Sequence, residues 1–198
     1  MQLVNHALST RVAPGSNIVE LGCGPGGVLA ELASRHPEAR FLGVDVEEEM
    51  IIHARDHHAG ENVRFELVDL SAQPPAEVAD FAYSIDLLHH VRDVDPFLAG
   101  VHVALRRGAT WLVIEPNVFH PYIFWSQARM RRAGFDEDHF RPWRIEPALE
   151  RAGFEVRDRR YAFLFPGWVD SVPSTVAWLE PLLERVLGGS VVYVLERS

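Results

Sequence analysis

Val19-Glu20-Leu21-Gly22-Cys23-Gly24-Pro25-Gly26-Gly27 decides how the rest of this chain reads. Asn17 to Leu21 enters it as an apolar strand, and Val28, Leu29 and Leu32 leave it on one face of a helix that stops before Pro37. Glycines between a strand and a helix permit a tight turn and let backbone amides approach a ligand at the positive end of the helix. The run satisfies G-x-G-x-x-G through Gly22, Gly24 and Gly27, and an acidic-x-G-x-G-x-G form through Glu20, Gly22, Gly24 and Gly26. A glycine-rich turn with no ligand would look the same, so acids further along the chain carry weight. Asp45 ends the second strand, 23 residues after Gly22, where a carboxylate can accept from both ribose hydroxyls. Asp69 ends the third strand, within reach of an adenine amino group along the carboxyl edge of the sheet. Strand-end acids often cap helices, but capping is a poor account of three at consecutive strand ends.

Outward from this stretch, short apolar runs alternate with helical patterns, which predicts βαβ units and a parallel sheet. Phe41 to Asp45 reads as the second strand, and Glu47, Glu48 and Glu49 then favour a helix start, with Met50, Ile51 and Ala54 inward. Val63 to Val68 and Asp80 to Ser84 are the third and fourth strands. Asp95 is placed to cap the next helix, Leu98, Val101 and Leu105 form its buried stripe, and Arg106, Arg107 and Gly108 close it. Ala109 to Glu115 is a fifth strand, apolar enough to be buried on both faces. Residues 116–144 read as an inserted helix or lid. A short helix through Ile145, Leu149 and Ala152 comes next, and strands at Phe154 to Leu164 and Ser190 to Glu196 close the chain. A helical stretch from Ser174 to Leu187, with Pro181 inside it, separates these two strands.

Composition narrows the chemistry. A chain of 198 residues, 47% apolar and 24% charged, fits one domain with a single core. A net charge of −9 argues against a nucleic-acid partner. One cysteine, Cys23, cannot form an internal disulfide and fits a reducing, cytoplasmic compartment. No leader is readable, and no apolar run approaches the ~20 residues of a membrane span. All 19 Lys+Arg residues are arginines. That closes Schiff-base chemistry, a P-loop lysine and a Tyr/Lys dehydrogenase pair.

The chain resembles the class I S-adenosylmethionine-dependent methyltransferases. The segments that carry the resemblance are 19–27 (VELGCGPGG), 43–50 (GVDVEEEM), 68–70 (VDL), 80–91 (DFAYSIDLLHHV) and 105–117 (LRRGATWLVIEPN), in the family's order. The resemblance covers about residues 17–160. It implies a Rossmann-like, doubly wound α/β fold with a seven-stranded sheet of order 3-2-1-4-5-7-6, the last strand antiparallel. It further implies that Glu20 and the Gly22-Cys23-Gly24-Pro25-Gly26 loop hold the methionine end of S-adenosylmethionine. Asp45 would bind the ribose, Val46 would pack on adenine, Asp69 and Leu70 would address the adenine edge, and Ser84 would hold the amino-acid moiety through its backbone. Only about 16 residues precede the first strand, fewer than the family's usual cover, which predicts either a more exposed cofactor or a shortened N-terminus. Two other readings use the same residues: a nicotinamide-dependent oxidoreductase, and a binding protein that keeps the fold without activity. Glu20 and Asp69 speak against the first.

The residues after the fourth strand bear on the acceptor. Ser84-Ile85-Asp86-Leu87 stands where nucleic-acid amino-group methyltransferases carry Asp/Asn-Pro-Pro-Tyr/Phe, which favours a small molecule or a small group on a lipid or sugar. His89 and His90 come next, at the mouth of the expected pocket, and an imidazole near its unperturbed pKa of ~6.5 can take a hydroxyl proton. A helix-start histidine satisfied by backbone is the competing account for one of the pair. His90 and His120 are the candidate catalytic residues. No histidine spacing makes a metal site, and His53, His57 and His58 read as solvated surface. The 116–144 segment combines Tyr122, Phe124, Trp125 and Phe140 with Arg129, Arg131, Arg132 and Arg144, which suits a cover over an apolar or anionic acceptor as well as it suits an ordinary surface helix.

Overall fold

A computed structural model describes residues 2–75, 78–134, 141–162 and 188–198. The chain runs α1 (Gln2–Arg11), β1 (Asn17–Leu21), α2 (Gly27–Arg35), β2 (Arg40–Asp45), α3 (Glu48–His58), β3 (Val63–Leu67) and β4 (Ala79–Ile85). A 3₁₀ turn (Leu88–His90) then leads to α4 (Val94–Ala104), β5 (Leu105–Pro116), α5 (Pro121–Arg132), α6 (Pro142–Arg151), β6 (Phe154–Ala162) and β7 (Ser190–Arg197). The seven strands form one sheet in the order β3-β2-β1-β4-β5-β7-β6. The first five are parallel to one another, and β7 is antiparallel to both β5 and β6. The order and direction of pairing are those the resemblance implies. The helical stretch expected at 174–187 lies outside the described residues.

Alternation along the strands builds two cores, one on each face. In β5, Trp111 and Val113 join Leu98, Val101 and Leu149 on one side, whereas Leu112 and Ile114 join Leu29, Leu32 and Ile51 on the other. A strand covered on both faces must be apolar at every position, hence the unbroken run. The single buried polar edge of Trp111 is satisfied: its Nε1 donates to Ser84 Oγ at 3.2 Å. Residues ahead of β1 form α1, which buries Val4 and Leu8 in the second core.

Four local expectations change. β5 begins at Leu105, not Ala109, because Leu105 is fully buried and pairs with Ala79 across a register shift. Arg106 leaves the helix for an ion pair with Asp80, so Arg106 to Gly108 are strand, not a helix end. The N-cap of α4 is Asp93, while Asp95 lies in its first turn and reaches Arg151 at 3.0 Å. Met50 faces outward from α3, on the side where Asp45 and Val46 lie, while Ile51 and Ala54 are buried as expected.

Candidate functional site

A cleft of about 650 Å³ opens at the carboxyl ends of β3, β2, β1 and β4. That is where an open parallel sheet reverses its winding and where such sheets bind ligands. A second depression of about 620 Å³ surrounds the strand starts at Asn17, Arg40 and Arg64, on the opposite edge, and meets none of the candidate site residues.

The glycine turn forms the middle of the cleft. Gly22 and Gly24 adopt positive φ values of 69° and 50°, and Gly24 would carry a Cβ into open space, so its backbone is the surface a ligand meets. Asp45 holds the turn in place: Oδ2 accepts from Gly24 N at 2.8 Å and Oδ1 from Glu47 N at 3.0 Å. Each carboxylate oxygen keeps a second lone pair for a ligand hydroxyl. Val46 is 65% exposed beside it, and Met50 lies on the same wall. An apolar pair left in the open within a cleft suits the face of a flat ring. Asp69 Oδ1 accepts from Ser71 N at 2.9 Å, which leaves Oδ2 for a donor. Leu70 is pressed against α4 so closely that a Cβ on Gly100 would come within 1.8 Å of its carbonyl oxygen. Gly100 therefore sits inside a helix for packing that places the Asp69-Leu70 wall, a requirement that helix periodicity alone does not reveal.

Beneath the turn lies Glu20, 3% exposed and absent from the cleft surface. Burial raises its carboxyl to about 8; the facing Tyr83 offsets part of that and Asp45 adds to it. Among the described residues neither Glu20 Oε2 nor Tyr83 Oη makes a hydrogen bond of normal geometry, although the two residues pair in register on adjacent strands. A buried carboxyl with one oxygen left unpaired under the loop favours a proton or a nearby cation. Cys23 turns away from the cleft into the second core, and a Cβ on Gly43 would lie 2.8 Å from its Sγ. Burial, with Glu20 and Asp45 nearby, drives its thiol pKa far up, so it is no nucleophile.

The other wall comes from the end of β4. Ser84 is fully buried and does not reach the cleft; β4 continues through Ile85, and Asp86 and Leu87 are the residues that line it. Asp86 holds φ 53°, the only positive φ among non-glycine residues described. Burial and the charge of Glu115 raise its carboxyl pKa, while His89 and His90 lower it. Glu115, fully buried at the end of β5, organises this turn from the neighbouring strand. Its Oε1 accepts from Leu87 N at 2.9 Å and Leu88 N at 2.6 Å, and its Oε2 meets His89 Nδ1 at 2.8 Å. The two histidines thus separate: His89 points inward to Glu115, and His90 lines the cleft, its ring centred 4.0 Å from that of His89. Neither Asp86 nor Glu115 is given a role by the sequence motifs. The signal available for Glu115 is an acid closing an otherwise apolar buried strand.

His120 is placed differently. Its Nδ1 accepts from Ile123 N at 3.4 Å as the N-cap of α5, and it is not among the cleft-lining residues. α5 buries Gln127 and turns Tyr122, Phe124 and Trp125 outward, with Arg129 5.7 Å over the Trp125 ring. No described residue of α5 lines the cleft. Phe140 lies outside the described residues. The side chains of His53 and His57 stack at 4.1 Å on the exposed side of α3.

Comparison with known proteins matches this geometry. Residues 18–108 fit the family described as "Methyltransferase domain". The ubiquinone biosynthesis O-methyltransferase of Sinorhizobium fredii is 30% identical over 163 residues, covering 77% of this chain and 65% of that protein. The trans-aconitate 2-methyltransferase of Rhodopseudomonas palustris is 33% identical over 148 residues, 74% of this chain and 52% of that protein. The chain therefore spans 65% of the length of the first of these curated relatives. Among solved structures, an S-adenosylmethionine-dependent methyltransferase from Mesorhizobium loti superposes with a TM-score of 0.72 at 22% identity, over 98% of this chain and 96% of that one. Sheet order, glycine turn, strand-end acids and these likenesses agree: residues 18–108 match a methyltransferase-domain family, and the relatives and the shared fold support a class I S-adenosylmethionine-dependent methyltransferase.

Proposed function

We propose that the protein transfers a methyl group from S-adenosylmethionine to a hydroxyl of a small-molecule acceptor. The observation that carries the reading is one cleft that brings together the Gly22–Gly24 turn, Asp45, Val46, Asp69 and Leu70 on one side and His90 on the other. The residues present fit the cofactor: an open glycine backbone, a carboxylate with free lone pairs at a ribose position, an exposed apolar flank, and an unsatisfied buried carboxyl beneath a site for an ammonium group. A magnesium protoporphyrin IX methyltransferase from Synechocystis, solved with bound S-adenosylhomocysteine, shares this fold at a TM-score of 0.68. When bound, the cofactor supplies a methyl carbon already activated by a sulfonium sulfur. The protein's own tasks are then alignment and proton removal.

Asp45 accepts from the ribose, Val46 and Met50 flank the base, and Asp69 with Leu70 addresses its edge. Glu20 acts on the methionine end through the loop above it, and Ser84 acts through the strand that delivers Asp86 and Leu87. His90 takes the acceptor's hydroxyl proton, with its ring buttressed by His89, itself held by Glu115. Residues 116–144 serve as the acceptor's cover, and the whole chain acts as one domain in the cytoplasm without a nucleic-acid partner. Among the described residues no helix is long and apolar enough to cross a membrane. The relatives' names, a ubiquinone biosynthesis O-methyltransferase and a trans-aconitate 2-methyltransferase, support a small acceptor. Calorimetry with S-adenosylhomocysteine and with NAD tests the assignment: binding of the former alone is expected, and tight NAD binding without any response to S-adenosylhomocysteine overturns it.

A further inference from the structure

Charge in the cleft is one-sided. Asp45, Glu47, Asp69, Asp86 and Asp93 line it, and Arg92 is the only arginine or lysine among the described residues that do. Asp45 and Asp69 have hydroxyl and amine donors to meet in the cofactor under the reading above. Asp86 stands on the β4 wall beside His90, the residue that the reading above gives to the acceptor's hydroxyl.

Two features mark Asp86 as more than a chance surface acid. Its backbone is held at φ 53°, a conformation that glycine would adopt at no cost and that aspartate adopts with some strain. Its amide remains in the sheet, donating to Ile114 O at 2.9 Å, so the strain is built into the end of β4 and is not a loose turn. Behind it lies Glu115, a carboxylate with no exposure, fixed by two backbone amides and His89. A third carboxylate brought to this wall would face Asp86 directly and Glu115 behind it, with His89 and His90 as the neighbouring imidazoles. Asp86 and His90 are exposed in the ligand-free cleft, and like charges brought together there as an acceptor displaces water cost more than in bulk.

We propose that Asp86 is a specificity-determining residue that selects neutral or cationic hydroxyl acceptors and rejects carboxylate-bearing ones. This rests on the methyltransferase reading of the cleft and narrows it, setting the acceptor apart in charge from an aconitate-like tricarboxylate. None of the arginines of α5 lines the cleft in this structure.

The test uses binding, not turnover, with two probes of the same shape and different charge: 3,4-dihydroxybenzamide and 3,4-dihydroxybenzoate. Each is titrated calorimetrically at pH 8 into the protein saturated with S-adenosylhomocysteine. The benzamide should bind about tenfold more tightly than the benzoate, and Asp86→Asn should narrow the gap to about threefold or less by strengthening the benzoate. Asp86→Gly keeps the positive φ without the carboxylate and should do the same, which separates loss of charge from disturbance of the turn. Equal or tighter binding of the benzoate to the wild type, an unchanged gap in both variants, or binding of neither probe overturns the assignment. Failure of S-adenosylhomocysteine itself to bind is a different result: it removes the methyltransferase reading on which the proposal stands.

Discussion

Replacing Glu20 with glutamine should stabilise the ligand-free protein in a way that grows with pH. In the folded chain the Glu20 carboxyl titrates at about 8, against 4.5 for the ordinary group, chiefly because burial opposes its charge. Between those two values the folded state holds a proton that the unfolded state has released. Stability from this group is therefore fully present below pH 4.5 and falls as pH rises toward 8, after which it is level. From about pH 6 to pH 8 the loss amounts to roughly 3 kcal/mol at ~1.4 kcal/mol per pH unit, or about 6–12 °C in Tm for a domain of this size. Glutamine cannot ionise, so Glu20→Gln should melt close to the wild type near pH 5 and several degrees above it at pH 8. Differential scanning calorimetry across that range reads both curves. An ammonium group bound above the loop would favour the ionised carboxyl, so S-adenosylhomocysteine should bind with proton release near pH 7, visible as a dependence of the calorimetric heat on buffer ionisation enthalpy. A Tm difference that stays flat with pH, together with binding heats indifferent to the buffer, would refute the idea that Glu20 is a protonated, ligand-sensitive carboxyl.

Two further outcomes are expected. Asp45→Ala should weaken S-adenosylhomocysteine binding by about 150-fold or more, since two hydrogen bonds to a charged acceptor are worth on the order of 1.5–3 kcal/mol each, whereas Asp56→Ala, an exposed acid of α3, should change it less than twofold; equal effects in calorimetry would leave Asp45 only its role of tying down Gly24 and Glu47. The amides of 121–132 should exchange quickly in the free protein and become protected when S-adenosylhomocysteine and an acceptor are both present, and Trp125→Ala should impair turnover while sparing cofactor affinity. Protection of α5 already at core level without ligand, and unchanged by it, would make the helix a fixed packing element.

The half of the cleft proposed to hold the cofactor was legible in the sequence because its information is local. A strand, a glycine turn and a helix are contiguous from Asn17 to Arg35, and Asp45 and Asp69 lie at or just past the ends of β2 and β3, whose apolar runs can be counted. Parallel strands deliver their carboxyl ends to one edge, so taking strand ends in order already gives the wall of a site. The alternation that splits β5 between two cores is likewise a property of one segment.

The half proposed for the acceptor depended on contacts between segments far apart in the chain. Which of two adjacent histidines faces the cleft is decided by Glu115, 26 residues from His89, and only the pairing of β4 with β5 brings them to 2.8 Å. The same pairing carries the chain past Ser84 to expose Asp86, and pulls Arg106 out of its helix to meet Asp80. His120, equally plausible by position, is spent on capping α5. Gly100 makes sense only once the loop after β3 lies against α4. Periodicity and turn chemistry report what a residue's own neighbours require, so they place strands, turns and strand-end acids. The direction of a side chain at a strand end is set by whichever partner lies across the sheet, and that partner is known only when the sheet is assembled.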